Sequence, residues 1–268
     1  MKRIAWFLSP LTLLACLAAQ EVGTAAEKRV RGVIEKTRAQ KSYSVTFTVE
    51  VRVPDSDPMV LKGQTVWVNP GVLFTQYTAS GGEEVRLVRV GEKVWMYHVL
   101  VEDWVKAEEA GRPGAGRGVQ NPDEVLAAIV KASDQAKAAA KDALEMKLDG
   151  AVIQKVMREQ ATSGSFDWTQ SSGAVRLTVG PDDLMYGVKV DAEVAGTDPA
   201  LKGRKIGYSA DVRLKAYNRE FALEFSTTDL KTKKTSPIPI PTFILDEIEK
   251  FKGVPDELRA EVKKLRPK

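Results

Sequence analysis

The side chains that most often perform catalysis or bind metals are scarce in this 268-residue chain. It contains one histidine, His98, and one cysteine, Cys16. Two such residues cannot supply the several ligands that a His/Cys metal site needs. A Ser–His–Asp triad would have to use His98, but no Gly-x-Ser-x-Gly turn for a serine nucleophile accompanies it. We therefore expect His98 to be a packed side chain of an aromatic strand rather than a catalytic base.

Other patterns that could carry chemistry are more typical of turns. Asp182 and Asp183 are adjacent in a Gly-Pro-Asp-Asp turn, whereas carboxylates that share acid–base work usually come from separate segments facing one cleft. The loop Gly111–Gly118 offers backbone amides and two arginines to a phosphate, but it lacks the Lys-Ser/Thr pair of a P-loop. Ser163–Ser165 is likewise a turn sequence. We predict no enzymatic activity, no metal and no cofactor.

The charge of the chain limits the classes of partner that it can be expected to bind. The formal net charge is +4, and much of the excess lies in Lys231–Lys234 and in the C-terminal KKLRPK. Acids and bases are otherwise mixed along the strands and no nucleic-acid-binding motif is present, so we expect no nucleic-acid partner. The basic segments suit an anionic membrane surface, although a solvated tail is the commoner explanation.

The first 26 residues form a predicted export signal. A positive Met-Lys-Arg start precedes an apolar stretch from Ile4 to Ala19, and polar Gln20 follows. The stretch is too short to be a good membrane-spanning helix. Two ways of processing remain open, which are cleavage after Ala26 and lipidation of Cys16 in the lipobox-like Leu-Leu-Ala-Cys. Either way we expect the protein to work outside the cytoplasm, in the periplasm or, if Cys16 is lipidated, anchored to a membrane.

The elements that would position these residues are mainly strands with one apolar and one polar face. In YSVTFTVEVRV, Tyr43–Val53, apolar and polar residues alternate strictly, which is typical of a half-buried β-strand. Tight turns then connect MVLKGQTVWVN, VLFTQYTA, VRLVRV and KVWMYHVLV, and a short strand around DWVKA ends the run. Alternation resumes in VRLTV, LMYGVKVDAEV, IGYSADVRLKA and FALEF. Strands joined by tight turns form antiparallel meanders, because parallel neighbours need long crossovers.

Helices are predicted around these two runs of strands. The spacing of Val30, Val33 and Ile34 predicts a helix over Glu27–Gln40. Asn-Pro-Asp-Glu, from Asn121, is a strong helix start, and we expect that helix to continue through Ala140. A short strand, DALEMKLDG, and a further helix, AVIQKVMREQA, come next. Near the C-terminus an amphipathic helix, PDELRAEVKKL, follows an extended segment that cannot be a central strand because it contains Pro237, Pro239 and Pro241.

Together these elements predict an α+β fold built on one curved antiparallel sheet. Its polar convex face would meet water, and its apolar concave face would be covered by helices. The helices are few, and the alanine-rich one contributes little volume. Either the sheet closes tightly on itself or a cavity remains, and cavities lined by apolar side chains are typical ligand sites.

Turns and aromatic residues of the first meander resemble those of LolA-like periplasmic outer-membrane lipoprotein carriers and related lipid-binding envelope lipoproteins. In GQTVWVNPGVLF a strand ends in a Pro-containing turn before an aromatic strand, and GEKVWMYH contains a G-x-x-x-W-x-Y pattern. The detailed resemblance covers Glu27–Trp104, and the second half is similar in architecture only. The matching residues are Pro70, Gly71, Phe74, Gly91, Trp95 and Tyr97.

The resemblance implies an unclosed β-barrel, or half-barrel, covered by helices, whose apolar cavity carries acyl chains between membranes. It also implies a functional arginine near the cavity mouth, for which Arg86 and Arg89 are candidates. Residues 27–268 would form a single LolA-like lipid-binding domain, in which the C-terminal Pro-rich segment and helix have no assigned counterpart. Trp95 and Tyr97 could instead belong to the outer face of the sheet. The predicted cavity-lining residues are Tyr43, Val45, Phe47, Val49, Trp67, Phe74, Trp95 and Tyr97.

The sequence therefore predicts an envelope protein that holds a hydrophobic ligand, a lipid or a lipoprotein acyl chain. Gly111–Gly118 and the helix after it would form a gate to the cavity. Membrane surfaces and envelope proteins are further expected partners. The alternative is a non-transporting interaction, sensor or assembly protein of the same fold, whose apolar face is a filled core.

Overall fold

The computed structural model describes residues 25–82, 84–98, 101–106, 137–140, 142–150, 153, 166–196, 203–218, 225–228 and 235–266. Helix α1 (Ala25–Arg38) comes first within these ranges, and helices α2 (Thr242–Lys250) and α3 (Asp256–Leu265) come last. Between them lie the strands β1 (Ser42–Arg52), β2 (Met59–Val68), β3 (Val72–Ala79), β4 (Glu84–Val90), β5 (Lys93–His98), β6 (Asp103–Lys106), β7 (Lys137–Ala140), β8 (Ala143–Asp149), β9 (Phe166–Val179), β10 (Met185–Gly196), β11 (Lys205–Lys215), β12 (Phe225–Thr228) and β13 (Thr235–Ile238).

The strands described here form one large antiparallel sheet and one separate hairpin. The order in the large sheet is β6-β5-β4-β3-β2-β1-β11-β10-β9-β8-β7, and β12 pairs with β13. Pairing is antiparallel from β3 to β6 and from β7 to β11, as tight connections require. The order ends at β6 and β7 and does not return on itself. The predicted α+β class with one open antiparallel sheet is therefore confirmed.

Contacts divide the chain into two compact units, which we describe separately. The first unit draws on residues 1–39, 46–62 and 117–214, and the second on residues 40–45, 63–116 and 215–268. A single domain over residues 27–268 stays a prediction.

In the first unit, neighbouring strands share one apolar and one charged face, as their alternation predicts. Val188 of β10 pairs with Leu177 of β9 and with Val212 of β11, and all three side chains are buried. The next residue, Lys189, is exposed opposite Asp211. Successive side chains of a strand point to opposite faces, which explains this division.

Helix α1 packs in the first unit through one stripe of side chains. Val30, Val33 and Ile34 are buried at the spacing that the sequence predicts. Thr37 continues the stripe, and its hydroxyl oxygen accepts a hydrogen bond of 3.0 Å from the backbone N–H of Met185 in β10. The helix thus contributes both apolar surface and a polar contact to the strands beneath it.

The predicted helix through Ala140 is wrong at its C-terminal end. Lys137–Ala140 is strand β7, and it pairs antiparallel with β8. Alanine favours a helix locally, but the hydrogen-bonded edge of a neighbouring strand can override that weak preference. The short strand predicted in DALEMKLDG is confirmed as β8.

Several predictions lie outside the described residues. They concern the start of the helix that follows Asn121, the loop Gly111–Gly118 and Cys16. Of the predicted export signal only Ala25 and Ala26 are described, and they begin α1. The helix predicted in AVIQKVMREQA is described at Ile153 alone, which is helical and buried.

The second unit departs from the expectation that one face of the sheet meets water. Leu73 and Phe74 are adjacent in β3 and point to opposite faces, yet they are only 0% and 4% exposed. Leu87 and Val88 of β4 are likewise both buried. The prediction is wrong for these strands because the C-terminal segment of the chain covers the face that carries Phe74 and Val88, and Leu73 and Leu87 are buried on the other face as well.

Candidate ligand-binding face

The pairing register of β3 to β6 defines two faces of the sheet in the second unit. Val88 of β4 lies opposite Phe74 on one side and Trp95 on the other, so these three side chains share a face. Leu87 lies between Thr75 and Met96, which places those three on the reverse side. We call the first the helix face (Val72, Phe74, Val88, Val90, Trp95 and Trp104) and the second the threonine face (Thr65, Trp67, Leu73, Thr75, Leu87 and Met96).

The helix face is filled by the C-terminal segment. Its side chains form one buried cluster with Phe225 and Ile238 of the β12–β13 hairpin and with apolar residues of the two C-terminal helices. The helical members are Ile244, Leu245 and Ile248 of α2 and Leu258 and Val262 of α3. The C-terminal elements therefore complete a hydrophobic core. They include the extended proline-rich segment and the amphipathic helix, for which the LolA-like resemblance gave no counterpart.

Aromatic contacts and one hydrogen bond hold the hairpin to this face. The ring of Phe225 lies 5.2 Å from that of Trp104, edge to face, and 6.4 Å from that of Phe74. The indole N–H of Trp104 donates to the carbonyl oxygen of Pro239 over 3.0 Å. The buried polar atom of this tryptophan is thus paired within the core.

Two glycines allow the helical segment to approach the turns of the sheet. A Cβ at Gly91 would lie 2.9 Å from the ring of Phe251, and one at Gly71 would lie 3.2 Å from it. Gly91 also has a φ of +58°, which side-chain-bearing residues rarely adopt. In this chain, the two turn glycines that are part of the LolA-like resemblance therefore leave space for the ring of Phe251.

Arg86 lies on the helix face with a fully buried side chain. Its Nε donates to the carbonyl oxygen of Ser226 in β12 over 2.5 Å, and its Nη2 pairs with the carboxylate of Glu84. Gln76, directly opposite in β3, donates to the same carbonyl over 3.5 Å. Arg86 therefore connects β4 to the covering hairpin. The sequence did not predict this role.

Arg89, the other candidate arginine, belongs to the reverse face. It lies opposite Leu73, and its side chain is 16% exposed. Its Nε donates to the carbonyl oxygen of Gly91 over 2.7 Å, and its Nη2 lies 3.7 Å from the carboxylate of Glu92. The two candidate arginines thus point to opposite faces, and a role for either in ligand binding stays a prediction.

The threonine face is apolar around a few polar groups. The hydroxyls of Thr65 and Thr75 form a buried hydrogen bond of 2.9 Å between β2 and β3. Trp67 follows Thr65 by two residues in β2, so it shares that face, and it is 1% exposed. Its indole N–H is buried and has no hydrogen-bond partner within the described part of the chain.

The start of β1 extends the threonine face. The backbone N–H of Asn69 donates to the carbonyl oxygen of Lys41 over 2.8 Å, and continuing that antiparallel pairing places Tyr43 opposite Trp67. Val45 then lies opposite Thr65. Both β1 side chains are buried, and the ring of Tyr43 lies 5.7 Å from that of Tyr217.

The structure therefore separates the predicted cavity-lining residues into two groups. Tyr43 and Val45 lie with Trp67, and Phe47 and Val49 continue the same face of β1. The other three predicted residues belong to the helix face or pack against its cluster, and these are Phe74, Trp95 and Tyr97. The eight residues do not line one surface, and a ligand contact for any of them stays a prediction.

The other candidates for chemistry occupy a strand end and a turn. His98 ends β5 opposite Asp103, and its Nδ1 is buried. The carboxylate of Asp182 accepts hydrogen bonds from the N–H of Leu184 at 3.3 Å and the hydroxyl of Tyr186 at 3.2 Å, and Asp183 has a φ of +55°. Both aspartates are turn residues, as the sequence indicates.

The described residues contain no cluster of three or more His, Cys, Asp or Glu side chains able to hold a metal ion. No helix among them is long and apolar enough to cross a membrane.

Comparison with known proteins gives matches in structure alone. No protein-family model and no curated protein matches the chain. Lipoprotein LppX from Mycobacterium tuberculosis is similar at 11% identity and a TM-score of 0.41, over 74% of this chain and 98% of that one. LprF from Mycobacterium bovis has 11% identity and a TM-score of 0.39, over 74% and 95% of the two chains.

A LolA superfamily protein from Nitrosomonas europaea is also among the similar structures. It has 7% identity and a TM-score of 0.31, over 74% of this chain and 95% of that one. The group that the sequence resembles thus recurs among the structures to which this chain is similar. Because these TM-scores are below 0.5, we derive function from the residues of this chain.

Proposed function

We propose that this chain is an envelope protein that binds a hydrophobic ligand, a lipid or a lipoprotein acyl chain, on its threonine face. The observation that carries the proposal is the division of the sheet into two apolar faces. The chain's own C-terminal segment fills the helix face with a contiguous cluster. A ligand would therefore contact the reverse side, where Tyr43, Val45 and Trp67 were predicted to line a cavity.

The energy for binding would come from transferring an alkyl chain out of water. Each methylene buried contributes about 0.8 kcal/mol, so a long acyl chain supplies ample driving force for binding. Leu73, Leu87 and Met96 present the apolar surface, and each is at most 8% exposed. Because these side chains are already buried, the ligand must displace the groups that now cover them.

The near-complete burial of this face also favours a second function. Tyr43, Val45 and Trp67 are at most 3% exposed, which is the packing expected of a filled core. A filled core would suit a non-transporting interaction, sensor or assembly protein. In that case the face stabilises the fold and binds no lipid.

Mass spectrometry of the protein purified from its native envelope is the first test. We expect a co-purifying lipid or acyl-bearing molecule, and the same spectrum reads the N-terminal processing, after Ala26 or at Cys16. A protein that carries no lipid and does not bind the fluorescent apolar probe phenylnaphthylamine in titration would contradict the proposal and support the filled-core alternative.

A matched pair of variants locates the site. Val45→Thr and Val88→Thr each replace one methyl group of a buried valine by a hydroxyl. Val45 lies on the threonine face and Val88 on the helix face. We expect Val45→Thr to weaken probe binding severalfold, since it makes the contact surface polar. Val88→Thr should lower stability and leave probe affinity unchanged. Equal effects of the two variants on affinity would contradict the assignment of the site to the threonine face.

A further inference from the structure

Two buried tryptophans of the second unit differ in how their indole N–H groups are satisfied. Trp104 is 5% exposed and donates to the carbonyl oxygen of Pro239 over 3.0 Å. Trp67 is 1% exposed, and within the residues that the structure describes its N–H has no acceptor. A buried donor without an acceptor carries the full cost of its desolvation, so native proteins rarely retain one without a reason.

The neighbouring threonines leave a second donor available. Thr65 and Thr75 share one hydrogen bond of 2.9 Å, in which either hydroxyl can be the donor. Each hydroxyl carries one hydrogen, so the one that accepts within the pair keeps its own hydrogen for another acceptor. The pair can thus donate one hydrogen bond outward from the sheet without breaking its internal bond.

These donors lie close together on one face. Thr65 and Trp67 are two residues apart in β2, which is about 7 Å along a strand. Thr75 is hydrogen-bonded to Thr65 from the adjacent strand. Leu73 and Leu87 on β3 and β4 are apolar neighbours on this face, and Arg89 lies on it opposite Leu73. A ligand that supplies acceptor oxygens here would pair groups that are otherwise costly to bury.

We propose that Trp67 and the Thr65–Thr75 pair form a polar subsite that receives the carbonyl oxygen of an acyl ester. The subsite rests on the proposed function, and it narrows the ligand from any apolar chain to a chain with an oxygen acceptor near its head. All three side chains are neutral donors, which match a neutral carbonyl. The cation on this face, Arg89, donates from its Nε to the carbonyl oxygen of Gly91, and the fully buried cation Arg86 lies on the helix face.

The test compares two ligands that differ in one carbonyl group. Monopalmitoyl glycerol is an ester, and hexadecyl glycerol is the ether with the same chain length and head. Both are titrated as competitors of phenylnaphthylamine. We expect the wild-type chain to bind the ester about fivefold more tightly than the ether, the effect of roughly one additional hydrogen bond. In Trp67→Phe, and to a smaller extent in Thr65→Val, the preference should fall towards unity.

Trp104→Phe is the matched control, since it removes the same indole N–H from the helix face. It should keep the preference for the ester, although the protein becomes less stable. Thermal unfolding of each variant shows whether it folds, and the ratio of the two affinities cancels general losses of binding. Equal binding of ester and ether by the wild type, or an unchanged preference in both Trp67→Phe and Thr65→Val, would overturn the subsite while leaving the proposed function intact. Failure of both ligands to displace a bound probe, or failure of the probe to bind, would overturn the two proposals together.

Discussion

The helix face and the threonine face belong to the same strands but are completed differently. On the helix face, Trp104 has its indole N–H bonded to Pro239 and its ring edge to face with Phe225. On the threonine face, Trp67 is as deeply buried but has no acceptor for its N–H among the described residues. Of the two tryptophans, only Trp104 thus has the paired polar atom that is typical of a permanent core.

The difference teaches that burial alone does not identify a binding surface. Both faces exclude water, and both carry residues that the sequence predicted as cavity lining. The two tryptophans separate them by their hydrogen bonding, although the helix face also holds a buried donor without a partner among the described residues, Nη1 of Arg86. The two faces should therefore respond differently to substitution, and four predictions test this.

Truncation of an aromatic residue on the helix face should have the largest effect. We expect Trp104→Ala to lower the free energy of unfolding by about 3–5 kcal/mol, since it opens a cavity among Phe225 and Tyr97 and removes the donor to Pro239. Urea denaturation measures this. Phe243→Ala on α2 is the control, because Phe243 is 49% exposed and should cost well under that amount. Similar losses in the two variants would contradict the permanent-core interpretation.

Removing the buried cation should loosen the covering hairpin. In Arg86→Met, the carbonyl oxygen of Ser226 loses its closer donor but keeps the 3.5 Å hydrogen bond from Gln76, and Glu84 loses its ion pair. Glu84 is partly exposed and can be hydrated, so we expect a loss of about 1–3 kcal/mol, with faster amide hydrogen exchange in β12. An unchanged or higher free energy of unfolding would mean that apolar packing compensates, as it does for some buried ion pairs.

A pair of conservative substitutions compares the two faces directly. Trp104→Phe and Trp67→Phe remove the same atoms, but only the first breaks a hydrogen bond. We expect Trp104→Phe to be more destabilising than Trp67→Phe by about 1 kcal/mol in ligand-free protein. Urea denaturation of delipidated samples is the measurement. A larger loss in Trp67→Phe would show that the threonine face contributes more packing energy than the helix face.

The smallest expected effect concerns how the stability of the segment that covers the helix face depends on pH. Glu257 begins α3, and its pKa is lowered by a hydrogen bond from its own backbone N–H and by the positive charge of Lys41, whose Nζ lies 3.5 Å from its carboxylate. Because the pKa is lower in the folded state, its stabilising contribution is present above the unfolded value and is lost as pH falls through the folded value.

We expect the urea midpoint of wild-type protein to fall slightly more than that of Glu257→Gln as the pH is lowered from about 6 to about 3. Both side chains are largely exposed, so the difference should be small and should shrink with added salt. Identical pH profiles would show that Glu257 contributes nothing to the attachment of α3.

Much of the fold could be predicted from local patterns. The alternation of Tyr43, Val45 and Phe47 predicts β1, and the spacing of Val30, Val33 and Ile34 predicts α1, because burial of one face imposes the period of the element. β7 could not be predicted in this way. Its alanines have a weak helical preference that pairing with β8 overrides.

The candidate site was predicted only in part. Trp67 and its neighbours in β1 share a face, as expected, but Phe74 and Trp95 belong to the core beneath α2 and α3. A signal for this was present in β3 and β4, where the consecutive pairs Leu73–Phe74 and Leu87–Val88 place apolar side chains on both faces. Continuous apolar runs of this kind are typical of strands that are covered on both sides.

By itself, the sequence determined the alternation of the strands, the antiparallel meanders and the scarcity of catalytic side chains, since each depends on residue type and spacing along the chain. Tertiary structure alone decided which face the C-terminal segment covers and which buried donors acquire acceptors. Those outcomes depend on contacts between residues more than a hundred positions apart, such as Trp104 with Pro239 and Arg86 with Ser226. No local pattern encodes such a distant partner, because the free energy of each contact arises only when the folded chain brings the two groups together.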